Sequence, residues 1–169
     1  MSPSTRRGLW FGVLLLGAAL MQSAWADSLR FHGGQPDFLT ATAILCALFA
    51  DANEGAGLGF SAGLLYACLA APLHGGFGSL IVSRTLVCFG VGWLEERIFR
   101  DNALIAVALV AGGTALVEGL FFVFAPQHNI VHWARGLGMG VLVNALLALP
   151  LYLLVRRCVR GLRETRSTT

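Results

Sequence analysis

The chain contains no lysine: all twelve basic residues are arginine. Charge of either sign is scarce, at 12% of residues, about half the share usual in a soluble domain. No polar stretch is long enough to fold separately, so one domain over 1–169 is expected. The four cysteines, Cys46, Cys68, Cys88 and Cys158, match no zinc or redox spacing. The first three lie inside apolar runs and read as small apolar fillers of helices. No cofactor, metal or nucleic-acid partner is expected.

Apolar residues are abundant, at 56%, and several runs approach the ~20 residues that cross a bilayer. The expected fold is an all-α polytopic membrane protein. Its six transmembrane helices should lie at about 9–26, 36–50, 57–73, 77–94, 103–125 and 136–155. The first run follows Arg6 and Arg7 and ends Ser23-Ala24-Trp25-Ala26. That pattern fits a signal peptide, but the run is also long enough to span. A retained helix is expected, because the later helices need a packing partner. Helix 2 is short for a span, and Asp51-Ala52-Asn53-Glu54 reads as a tight polar turn after it.

Arginine placement sets the orientation. With the N-terminus inside and six crossings, the inner segments hold Arg6, Arg7, Arg97, Arg100 and the tail residues Arg156, Arg157, Arg160, Arg163 and Arg166. The outer loops hold only Arg30 and Arg135. The positive-inside rule therefore places both termini in the cytoplasm, with the tail lying on anionic headgroups.

Gly55, Gly59, Gly63, Ala67 and Ala71 recur every four residues. On a helix this makes a stripe nearly free of side chains, which lets another backbone approach closely in lipid. The stripe reads as packing glue, or as glue that also shapes a pocket or a partner surface. Gly136, Gly140, Asn144 and Ala148 repeat the spacing on helix 6.

Arg84 and Glu118 are the only ionisable residues well inside an expected span. Both fall roughly 10 Å below the outer surface at 1.5 Å per residue. Each alone would be costly in hydrocarbon, so the two are expected to pair. Such a pair would fix helix register, or floor an outward cavity or partner contact. His128 and His132 are four apart, but a zinc site needs a third or fourth ligand, and headgroup-level histidines are the simpler reading.

Two motifs raise the possibility of an enzyme. Glu95-Glu96-Arg97-Ile98-Phe99-Arg100 and Phe124-Ala125-Pro126-Gln127-His128 resemble motifs of the CAAX-type intramembrane proteases. One crossing of roughly 30 Å separates Glu95 from His128, beyond the reach of general-base chemistry. No later histidine completes that family's third motif.

The whole pattern resembles the rod shape-determining MreD family. The resemblance runs from about Arg6 to Arg160. It rests on Gln35-Pro36-Asp37, on Gly57-Leu58-Gly59-Phe60-Ser61-Ala62-Gly63-Leu64-Leu65, on Gly75-Gly76-Phe77-Gly78-Ser79-Leu80 and on Glu96 to Leu104. Many members carry an acid near the middle of helix 3, where this chain has Tyr66-Ala67; Glu118 is the remaining candidate for that acidity. The resemblance implies a non-enzymatic scaffold of the cell-elongation, peptidoglycan-synthesising machinery in the bacterial inner membrane. Its implied partners are MreC and, through it, MreB, RodA and a penicillin-binding transpeptidase. It also implies a six-helix fold similar to the substrate-binding subunits of energy-coupling-factor transporters. That similarity supplies a second expectation, a vitamin-type small-molecule-binding subunit.

Overall fold

The computed structural model of the chain describes residues 3–26, 28–30, 34–70, 76–94, 102–126 and 129–164, without the side chains at 3–5, 132, 160 and 162–164. Six helices form: α1 (Pro3–Trp25), α2 (Phe38–Ala47), α3 (Ala52–Leu69), α4 (Phe77–Leu94), α5 (Ala103–Phe124) and α6 (Ile130–Glu164). Among the described residues there is no strand. Four of the helices, α1, α4, α5 and α6, are long and apolar enough to cross a membrane. This narrows the expected six. α3 has eighteen residues, but Asn53, Glu54 and its glycines dilute its hydropathy. α2 has ten residues, only about 15 Å of helix.

The shortest helix is the centre of the fold. α2 packs against each of the other five, and all ten of its residues are buried. A helix that is apolar all round belongs inside a bundle, and Leu39, Ile44 and Leu45 are the core here. α1 adds Phe11, Leu15 and Ala18 from one side, and α6 adds Ala148, Tyr152 and Val155 from the other. The opposite face of α1 leaves Leu9, Val13, Leu16 and Leu20 exposed, which suits lipid contact. Near the far end of the bundle Arg7 pairs with Glu54, joining α1 to the start of α3.

Four helices have bounds that differ from the sequence reading: α1 starts at Pro3, six residues before the expected start at about 9. α2 starts at Phe38 and stops at Ala47, inside the expected 36–50. α3 begins at Ala52 because Asp51 caps it, its Oδ1 accepting from the Glu54 N–H at 2.9 Å. The polar stretch read as a turn is thus a helix start. α6 begins at Ile130 and continues through Pro150 to Glu164. Nothing between Ile130 and Arg135 breaks a helix, so the expected loop is mostly helical.

The glycine stripe of α3 lies against α4, the most extensive helix pair in the bundle. The two run antiparallel. A Cβ on Gly55 would meet the Cys88 carbonyl oxygen at 2.5 Å, and one on Gly63 would meet the Ile81 Cα at 2.7 Å. Between them, a Cβ on Gly59 would strike the Arg84 carbonyl oxygen. Gly92 completes the seam from the α4 side, against the Asp51 carbonyl. These contacts are backbone to backbone, the geometry small residues permit in lipid.

The bundle core holds an unsatisfied hydroxyl. The Thr42 hydroxyl on α2 is buried without a hydrogen-bond partner among the described residues. Burying such a group costs free energy, so Thr42→Val, close in shape, is expected to raise stability by about 1 kcal/mol. The shift of the thermal unfolding midpoint in detergent measures it.

Candidate functional site

The site is built where the chain enters α2. Gln35, Pro36 and Asp37 are non-helical yet half-buried to fully buried. They reach into the bundle beside α6, where a Cβ on Gly34 would overlap Met139. Irregular backbone is tolerated at such depth only if protein groups satisfy it or it lines a wet cavity. Here protein groups satisfy the segment, and it lines a cavity. From α1, Gln22 donates to the Pro36 carbonyl at 3.2 Å and accepts from the Phe38 N–H at 2.8 Å. From α6, Asn144 Oδ1 accepts from the Asp37 N–H at 2.8 Å, and its amide donates to Thr114 of α5 at 3.3 Å. Two side chains from two other helices, Gln22 and Asn144, thus substitute for the turn that α2 lacks, and Thr114 of α5 holds Asn144 in place.

Asp37 is the N-cap of α2. Its Oδ1 accepts from the Thr40 N–H at 2.8 Å, and its Oδ2 accepts from the Thr40 hydroxyl at 2.5 Å. The same Oδ2 takes the Arg84 Nη2 donor at 2.8 Å. Arg84 is 1% exposed, and its whole guanidinium is engaged. Nε donates to Thr40 Oγ1 at 2.8 Å, Nη1 donates to the Leu80 carbonyl at 3.2 Å, and the group lies 3.9 Å from the Tyr66 ring centroid. The ring face adds a cation–π attraction in a dry setting.

The direct partner of Arg84 is therefore Asp37, not Glu118 as the sequence suggested. Glu118 feels the Arg84 charge, but the two form no ion pair. The physical reason is the descent of Gln35–Asp37 into the bundle. It brings to Arg84 a carboxylate that the sequence reading leaves in the first turn of helix 2. The available signal was Asp37 three residues before Thr40 at the head of an apolar run, the mark of a helix cap.

Beside this pair lies a cavity of about 360 Å³. Gln35, Pro36 and Asp37 form one wall and Tyr66 of α3 another. α5 contributes Thr114, Glu118 and Phe121; α6 contributes Trp133, Gly136, Gly140 and Asn144. The α6 residues Gly136, Gly140 and Asn144, expected on a packing or partner face, thus border a partly open cavity. A Cβ on Gly140 would have only the Gln35 carbonyl near it, at 4.0 Å. The space is mixed in character, with aromatic walls and convergent polar groups, as small-molecule sites are.

Glu95, Glu96 and His128 lie outside the described residues, as does the His132 side chain. Among the described residues no three of His, Cys, Asp and Glu come together to hold a metal. The chain matches no protein-family model, no curated protein and no solved structure.

Proposed function

We propose that this protein is a non-enzymatic scaffold of the cell-elongation machinery, of the MreD type. It would sit in the bacterial cytoplasmic membrane with both termini cytoplasmic. Its α1, α4, α5 and α6 would span the bilayer. α3 would run beside α4 through the same depth, and the Gln35–Asp37 segment with α2 would complete the remaining pass. Its partners are MreC and, through it, MreB, RodA and a penicillin-binding transpeptidase, with membrane lipids around the bundle.

The observation that carries this reading is the α3–α4 seam. Gly59 and Gly63, in the stretch on which the MreD resemblance rests, lie where two backbones touch. A helix pair locked in this way supports a role in holding neighbours at fixed positions without turnover.

The test is affinity purification of the tagged protein from its host in mild detergent, with depletion in parallel. MreC is expected to co-purify in comparable amount, and depleted cells are expected to lose rod shape. Recovery without MreC, together with unchanged cell shape, would overturn the proposal.

A further inference from the structure

We propose that the cavity between α3, α5 and α6 is a binding site for a small organic cation, seated with its positive charge at Glu118 and its apolar body among Tyr66, Phe121 and Trp133. This goes beyond the scaffold role and does not depend on it.

The charges around the cavity do not cancel. Arg84 and Asp37 answer one another through a direct ion pair, and Thr40 closes that network. Glu118 lines the cavity, and among the described residues it has no hydrogen bond or ion pair. Arg84 acts on it only from beyond ion-pair distance. The nearby Arg30 donates to Gln35 at 2.9 Å and is exposed, so water already solvates its charge. The excess charge of the cavity is thus the half-buried carboxylate of Glu118, at a depth in the bundle where charge is expensive unless paired. A cation is the complement that this wall lacks.

The remaining walls select the kind of cation. Phe121 and Trp133 offer aromatic surface beside the Tyr66 ring, one face of which already carries the Arg84 guanidinium, and Phe122 packs on the Trp133 ring with centroids 4.4 Å apart. Aromatic faces beside a carboxylate are the standard recognition of substituted ammonium groups. A bare metal ion would need several close oxygen ligands, whereas a volume near 360 Å³ holds a drug-like small molecule. Gly136 and Gly140 contribute no side chain, and this leaves the space open on the α6 side.

Benzyltrimethylammonium is the probe, because its charge is permanent and any titration belongs to the protein. Its binding to the purified protein in an uncharged maltoside detergent would be followed by calorimetry. 2-Phenylethanol serves as the uncharged comparison. Saturable binding of the cation is expected, at least tenfold tighter than the alcohol. Glu118→Gln is expected to weaken the cation at least tenfold and leave the alcohol unchanged. Gly140→Leu keeps every charge and fills the space, so it should abolish binding of both; it serves also if Glu118→Gln fails to fold. Absence of saturable binding, equal affinity for cation and alcohol, or full binding by Gly140→Leu would each overturn the proposal.

Discussion

Gly59→Leu is expected to destroy the folded bundle. The first added carbon would strike the Arg84 carbonyl oxygen and lie 2.8 Å from the Thr85 Cα. Both are backbone atoms of α4, so no rotamer change relieves the overlap. α3 and α4 would have to separate along their length, and Gly55 and Gly63 would lose their contacts with them. Overpacking a close-fitting core costs about 1–3 kcal/mol, occasionally more. A whole leucine against backbone belongs at or beyond the top of that range. Arg84 would also move, taking its bonds to Asp37 and Thr40 with it. Gly57 is the comparison: a Cβ there meets nothing within 4 Å. Gly57→Ala should therefore be neutral or stabilising by about 0.5–1 kcal/mol, since alanine favours helix over glycine. Thermal unfolding and gel filtration in detergent would show a monodisperse Gly57→Ala and an aggregated or absent Gly59→Leu. Comparable behaviour of the two would mean that the seam does not hold the bundle.

The contrast between these glycines shows what was legible in the sequence. The four-residue period of Gly55, Gly59 and Gly63 marks a close-packing face, because a helix brings every fourth residue to one side. Gly57 falls off that period, and its surroundings are open. What the period does not contain is the identity of the partner, which only the packed bundle supplies. The shape of α2 was hidden more deeply. Hydropathy sees an apolar run after a polar loop and extends a helix through Pro36. The groups that make an interrupted start tolerable are Gln22 and Asn144. The second lies 107 positions along the chain from the amide it satisfies. Asn144 looked like one more small residue in a stripe with Gly136, Gly140 and Ala148. Gly136, Gly140 and Asn144 itself border a cavity, and Asn144 and Ala148 are both fully buried. The sequence shows that Arg84 needs a partner, because an unpaired cation at that depth is costly. The sequence does not show that the partner is Asp37, because depth counted along each helix ignores a chain segment that dips inward.

Removing the guanidinium of Arg84 tests that dipping segment directly. Arg84→Met keeps most of the volume and leaves the Asp37 carboxylate, 8% exposed, with only Thr40 and its own helix start to answer its charge. Breaking a buried pair from one side costs about 3–5 kcal/mol, because the remaining charge stays buried. Asp37→Asn breaks it from the other side and strands the cation on Thr40, Leu80 and Tyr66. The double variant Asp37→Asn with Arg84→Met buries no unpaired charge at this position. Replacing both members of a buried pair by uncharged groups is often nearly neutral. Its loss is therefore expected to fall well below the sum of the single losses, with a coupling of about 2–3 kcal/mol. Unfolding midpoints of the four proteins in one detergent give the cycle. Strict additivity would mean that the two charges act independently. Glu118→Gln belongs in the same experiment. With Asp37 as the direct partner, combining Glu118→Gln with Arg84→Met should give a distinctly smaller coupling than the Asp37 cycle. A larger one would return Glu118 to the role of Arg84's counter-ion and leave the cavity without its unanswered carboxylate.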